Sequence, residues 1–303
     1  MTTIAQTHPL PTTIPDYLAQ LRQALAGADP AMIQDALYDA EEYLRAELAE
    51  QRGKSEAEVI ADVAGSYGAP DEVAEIYRET EVTVTRALRP PLPPKRNSWL
   101  GKFFGVAADP RTYGALFYML LSLLTGVFYF TWVVTGASLS AGLLILIIGV
   151  PLLVLFFGSV RVLSLVEGRV VEALLGVRMP RRPAHPGLQE GWLQRIGAMF
   201  TDARTWSTML YFLLMLPLGI LYFCVFTTLL SLSLGLAASP LALLFDNMAV
   251  LTWDGVDFTS PWLTLPLFVV GVLLLFVTLH LARAFGKLHG MFAKHLLVKS
   301  GES

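Results

Sequence analysis

Two five-residue runs, Asp109-Pro110-Arg111-Thr112-Tyr113 and Asp202-Ala203-Arg204-Thr205-Trp206, carry the side chains of this chain best suited to hold something charged. Each run stands at the front of a long apolar stretch. Its arginine is therefore placed where lipid phosphates lie, and its aspartate is placed to accept backbone N–H groups as the N-cap of the following helix. A tryptophan and a base precede each run, Trp99 with Lys102 and Trp192 with Arg195. The chemistry this spells is recognition of anionic headgroups. The same residues also serve as anchors that set helix depth and tilt, and that is the reading their use at interfaces favours.

Other chemistry is sparse. Asp246, Asp254 and Asp257 lie among Phe245, Trp253, Phe258 and Trp262, in the one sizeable stretch expected to face outward, so an external stimulus could be read there. Their spacing misses the D-x-D-x-D-G pattern of a calcium loop. His289 and His295 are six apart and point to different helix faces, so they make no chelating pair. No metal or cofactor is expected. The single cysteine, Cys224, excludes an intrachain disulfide and reads as a small buried hydrophobe. No Walker-type loop, G-x-S-x-G elbow or H-E-x-x-H occurs, and no nucleophile, base and oxyanion donor assemble, so the chain is not expected to be an enzyme.

The elements that carry these residues follow from a duplication. Trp99, Asp109, Arg111, Thr112, Tyr118, Gly126 and Tyr129-Phe130 recur, without a gap, as Trp192, Asp202, Arg204, Thr205, Tyr211, Gly219 and Tyr222-Phe223. The ends of the copies match as well: Arg161, Glu167-Gly168 and Leu174-Leu175 correspond to Arg283, His289-Gly290 and Leu296-Leu297. Apolar residues make up 54% of the chain and charged residues 16%, and four stretches are long enough for a bilayer core of about 20 residues. These are 113–136, 141–162, 208–236 and 261–281. Short amphipathic helices are expected in the headgroup layer before the first and third. Arg and Lys crowd the segments before span one, between spans two and three, and after span four, whereas 137–140 and 237–260 contain none. The positive-inside rule then puts both termini in the cytoplasm. The first residues lack the basic start and apolar core of a signal peptide.

The first 89 residues carry sixteen Asp and Glu against seven Lys and Arg, leaving nine against fifteen for the rest. After a tail at 1–13, residues 14–86 read as a compact helical unit. Asp29-Pro30 opens a long helix whose apolar stripe includes Met32, Ala36, Leu37, Ala40 and Leu44, with Asp35, Asp39, Glu42 and Glu47 solvated. Ser55 and Glu58 form a capping box. In the last helix Val73, Ile76 and Tyr77 are expected inward. The acidic surface argues against direct nucleic-acid binding and for a protein partner, or for the basic flank of the same chain. A proline-rich spacer at 87–97 leads to the repeats, 98–180 and 191–299, joined by a loop at 181–190.

The helical unit resembles the HAAS-type (DUF1700-like) domain, most visibly in Tyr67-Gly68-Ala69-Pro70-Asp71-Glu72-Val73-Ala74, where Tyr67 replaces the usual Leu. The membrane part is similar to the bacterial "putative sensor" four-helix domain, through 109–130, 202–223 and Gly149-Val150-Pro151-Leu152-Leu153. The resemblance implies an inner-membrane protein of the signalling kind, with a repressor or kinase as the class of partner. The expected fold is all-α, a small cytoplasmic helical domain plus four transmembrane helices built from a tandem repeat. The expected function is a sensor without a catalytic domain, in contact with membrane lipids and a protein partner, alone or as a homo-oligomer. A lipid-handling membrane protein or a scaffold is the alternative.

Overall fold

The computed structural model describes residues 10–51, 53–88, 98–145, 149–180, 182, 202–244, 251–253, 256–258 and 260–298, with backbone alone at 81–88, 99, 251–253, 256–258 and 261. The chain divides into two compact units.

The first unit combines Met1–Leu92 with Arg178–Arg204 and Val298–Ser303. Four helices form its body: α1 (Ile14–Ala24), α2 (Pro30–Glu50), α3 (Glu56–Ser66) and α4 (Pro70–Leu88). Local chemistry sets their starts. Asp29 accepts from the Ala31 N–H at 2.9 Å before the first-turn Pro30. Ser55 and Glu58 cap each other's backbone N–H groups reciprocally. Between α3 and α4, Gly68 takes φ +114°, a left-handed conformation costly for any residue with a Cβ. The Tyr17 hydroxyl donates to its carbonyl at 2.8 Å. Tyr17, Leu21, Leu25, Ala36, Ala40, Leu44, Ile60 and Val63 make the core.

Two expectations for this unit change. Ile76 is 56% exposed, because the inner face of α4 is filled by Val73, Ala74 and Tyr77. Asp35 is buried rather than solvated, since the segment following Val177 lies over it.

The described residues of the second unit, Pro93–Val177 with Thr205–Leu297, include four helices long and apolar enough to cross a membrane. A short helix α5 (Trp99–Phe104) and a 3-10 turn (Gly105–Ala108) lead into α6 (Pro110–Leu143). Then come α7 (Gly149–Leu175), α8 (Ala203–Ala237) and α9 (Pro261–Leu297). Among the described residues the fold is all-α apart from one hairpin between α8 and α9. Its strands β1 (Leu251–Trp253) and β2 (Val256–Phe258) pair antiparallel with Thr252 opposite Asp257.

The first hairpin is longer than the hydropathy suggests. Residues 137–140 continue α6 instead of turning, because Ala137, Ser138 and Leu139 carry no helix breaker, and α7 begins at Gly149 rather than 141. A Cβ at Gly149 would collide with the Leu143 and Leu144 backbone, so this close approach needs glycine. At 34 residues α6 runs about 51 Å, well beyond the roughly 30 Å of a hydrocarbon core. Both α7 and α9 likewise extend past the apolar runs, to Leu175 and Leu297.

The repeats interlock through small residues. Gly126 of α6 lies against Met215 of α8, and Gly219 of α8 lies against Ser122 of α6. Met215 occupies in the second copy the place of Ser122 in the first, so this crossing obeys the duplication's own two-fold relation. Without apolar attraction between helices in lipid, backbone approach at glycine supplies the packing energy. Cys224, expected to be buried, is exposed on α8.

Candidate functional site

Among these apolar helices the most unusual feature is a cluster of six buried polar side chains. Tyr118 and Tyr129 come from α6, Glu167 from α7, Tyr211 and Tyr222 from α8, and His289 from α9. Glu167 is 0% and His289 1% exposed. The Tyr118 hydroxyl donates to Glu167 Oε1 at 2.6 Å, Tyr211 donates to the same oxygen at 2.9 Å, and Tyr129 donates to Oε2 at 2.9 Å. His289 Nε2 lies 2.7 Å from the Tyr118 hydroxyl and 3.1 Å from that of Tyr211. Its Nδ1 is 3.4 Å from the Tyr222 hydroxyl.

The cluster is itself duplicated. Tyr118 corresponds to Tyr211, Tyr129 to Tyr222, and Glu167 to His289. Within a copy, each carboxylate or imidazole meets both tyrosines of its own hairpin. Across copies, Tyr118 reaches His289 and Tyr211 reaches Glu167. An acid in one copy thus faces a base in the other, with two phenols between them. Two carboxylates at these positions would repel at low dielectric. Burying an isolated charge in such an interior is costly, and this cluster meets the cost with three hydroxyl donors on one carboxylate.

Local structure explains the convergence. Tyr118 and Tyr211 each stand nine residues, about 13 Å, beyond their capping aspartates. Tyr129 stacks on Phe212 with ring centroids 4.4 Å apart, and Tyr222 meets Phe285 edge-on at 5.9 Å. Sequence reading registered all six positions as repeat matches or as a lone histidine and did not join them. Glu167 and His289 lie beyond the apolar runs 141–162 and 261–281, on the continuations of α7 and α9. The available signal was the alignment of Glu167 with His289, opposite chemistry at one repeat position.

The residues singled out from the sequence fall elsewhere. Asp109 caps α6, accepting from the Arg111 N–H at 3.1 Å, but it is buried and ion-paired to Arg283 of α9 at 3.0 Å. Asp202 accepts from the Arg204 N–H at 3.1 Å. Arg111 and Lys102 are exposed, as a headgroup contact needs. Arg204 instead donates to Gln34 at 2.9 Å, within the first unit. Trp99 opens α5, whose Phe103 and Phe104 pack on Phe276 of α9. His280 Nε2 lies 3.0 Å from the Phe103 carbonyl. Trp192, Arg195, Asp246 and Asp254 lie outside the described residues, while Trp253 and Asp257 sit on the hairpin strands. Among the described residues no cluster of His, Cys, Asp and Glu has the number of groups a metal ion requires.

A second charged arrangement lies in the first unit. Arg178 approaches Asp35 at 3.4 Å, and the Arg182 N–H donates to the same carboxylate at 2.8 Å. Arg182 Nε lies 2.9 Å from Asp39, whose other oxygen accepts from the Tyr77 hydroxyl at 3.0 Å. Burial pushes the Tyr77 hydroxyl well above its ordinary range, so it remains a donor. Gln34 donates to the Arg182 carbonyl at 2.5 Å. Arg178 and Arg182, at the start of the segment joining the two repeats, are therefore held by the acidic face of α2.

Comparison with family models places this arrangement. Residues 118–297, more than half of the chain, match the family described as "Putative sensor". The chain belongs to that family. Residues 16–76 match the HAAS model, in the order the sequence resemblance implies. No curated protein and no solved structure matches the chain. Sensor and HAAS domains with four apolar helices make this a membrane protein of the sensor or signalling type.

Proposed function

We propose that this chain is a non-catalytic transducer of the bacterial inner membrane, with both termini in the cytoplasm, that relays an envelope or bilayer change to a protein partner. The observation that carries the reading is the polar lock between the repeats. It joins the two hairpins through Tyr118–His289 and Tyr211–Glu167, bonds that have two discrete conditions, made or broken. A stimulus that prefers one condition shifts the population of both. The hairpins are joined in sequence through 178–204, and that segment is ion-paired to Asp35 and Asp39 of the HAAS unit. A change between the hairpins thereby has a route to the acidic head and to whatever the head binds, a transcriptional regulator or a kinase.

The test compares transcript profiles of cells carrying the wild-type chain, Glu167→Gln, and the double change Asp35→Arg with Asp39→Arg, each inserted to equal levels. The relay predicts overlapping sets of altered transcripts for the two kinds of variant. Unchanged profiles in both would refute it. External cysteine labelling at 178–182 in intact cells would overturn the orientation.

The buried acid–base pair also favours a second reading, a lipid- or ion-handling membrane protein, because ionisable groups within spans often line transport paths. Altered lipid composition or solute flux in Glu167→Gln cells, with transcripts unchanged, would favour it.

A further inference from the structure

Counting hydrogens in the polar lock leads further. Each tyrosine hydroxyl has one hydrogen to give. With Glu167 taken as the ionised carboxylate, Tyr118, Tyr129 and Tyr211 all give theirs to it. His289 Nε2 therefore meets two phenol oxygens, of Tyr118 and Tyr211, whose hydrogens are already committed. It must carry a hydrogen and donate it. In the neutral ring Nδ1 is then bare and accepts from Tyr222. Every polar atom of the lock is satisfied in this state, and the lock carries one net negative charge.

We propose that the lock is a binding site for a single proton, taken up at His289 Nδ1. Adding it changes only one hydroxyl rotor: Tyr222 turns from donor to acceptor, and every other bond stays as it is. The product is an imidazolium and a carboxylate bridged by the Tyr118 and Tyr211 hydroxyls, with no net charge. The groups facing the site are Tyr118 and Tyr129 from α6, Glu167 from α7, Tyr211 and Tyr222 from α8, and His289 itself from α9. The unprotonated lock holds an uncompensated charge in a medium of low dielectric, whereas the protonated lock pairs that charge across the repeat interface. Protonation therefore favours closed repeats, and its loss favours their separation. That consequence names the regulator of the transducer proposed above and rests on that reading; the proton count rests on the geometry and on an ionised Glu167.

The experiment uses the full-length chain in lipid nanodiscs, taken from about pH 9 to about pH 4 to span the ordinary imidazole and carboxyl ranges. Imidazole ¹⁵N resonances, assigned with His289→Gln, report the ring, and the infrared carboxyl band, assigned with Glu167→Gln, reports the acid. The expected result is an Nε2–H tautomer at the alkaline end that becomes imidazolium while Glu167 stays ionised, with this transition lost in Glu167→Gln. Tyr222→Phe keeps the transition and removes the infrared phenol band that shifts with it in the wild-type chain. A His289 ring silent throughout, a proton appearing on Glu167 instead, or a Glu167→Gln chain that titrates like wild type would each overturn the proposal. A silent ring would leave the transcript relay standing, and unchanged transcripts would leave the titration standing.

Discussion

Replacing Gly126 by alanine tests whether the repeat crossing holds the polar lock together. A Cβ at Gly126 would sit 2.9 Å from the Met215 carbonyl carbon and 3.1 Å from the Leu216 Cα. Ordinary carbon contacts lie at about 3.5–4.0 Å, so α6 and α8 must part by roughly 1 Å at the crossing. The obstructing atoms are backbone, which no rotamer change can move. Parting the helices also stretches Tyr118–His289 and Tyr211–Glu167, now 2.7 and 2.9 Å, past the roughly 3.2 Å limit of good hydrogen bonds. Overpacking of this kind costs about 1–3 kcal/mol. Each weakened bond adds about 1 kcal/mol, and the better helix propensity of alanine returns about 1 kcal/mol. The net is a loss of about 2–4 kcal/mol. At about 2–4 °C per kcal/mol for a unit of this size, Tm falls by the order of 10 °C. The assay is thermal unfolding of the full-length chain in one detergent, with Gly158→Ala as the control. A Cβ at Gly158 meets nothing within 4 Å, so that change should be neutral or raise Tm. Equal effects at the two glycines, or a wild-type melt for Gly126→Ala, would refute the argument. Gly219→Ala, whose Cβ would sit 2.8 Å from the Ser122 carbonyl carbon, should reproduce the Gly126 result.

Three further outcomes follow from named contacts. Tyr118→Phe removes the hydroxyl that bridges Glu167 and His289 and should cost about 1–3 kcal/mol, whereas Tyr113→Phe, at an exposed hydroxyl, should cost under about 1 kcal/mol in the same melts. A double-mutant cycle between Asp35→Asn and Arg178→Gln should show a coupling of about 0.5–3 kcal/mol in urea unfolding, and a coupling near zero would remove the ion pair from the energetics of the first unit. Hydrogen bonds from the Ser55 backbone and side chain hold the Glu58 carboxyl below its ordinary range. Its contribution is therefore complete above the unfolded value near 4.3 and fades as pH falls through the lower folded value. Amide protection at the start of α3, corrected for intrinsic exchange, should fall on acidification; Ser55→Ala, which keeps the backbone donor, should weaken that pH dependence, and Glu58→Gln should abolish it.

Much of the architecture was legible because it depends on neighbours in the chain. The caps at Asp29, Ser55 and Asp109 each work within two or three residues, so composition and spacing reveal them. The helix-spanning stretches are legible for a similar reason, since lipid demands about 20 apolar residues in a row. Facing was harder. Ile76 fits an apolar stripe yet is exposed, and Asp35 fits a solvated face yet is buried, because another part of the chain decides what covers α2 and α4. The end of α6 was misplaced because 137–140 contains nothing that stops a helix, and the close approach of Gly149 to Leu143 is a contact that spacing does not reveal.

The duplication, the four crossings and the acidic head are properties of the order of residues, and they hold for any arrangement the helices adopt. The lock is different. Tyr118 and His289 are 171 positions apart, and nothing local distinguishes Tyr118 from other interfacial tyrosines or His289 from a histidine at a helix end. The glycine crossing of α6 on α8, with the packing of α9 on α6 and α7, brings the acid of one repeat against the base of the other. Side-chain chemistry at such a distance is set by packing, and packing is a relation among helices that no single stretch contains.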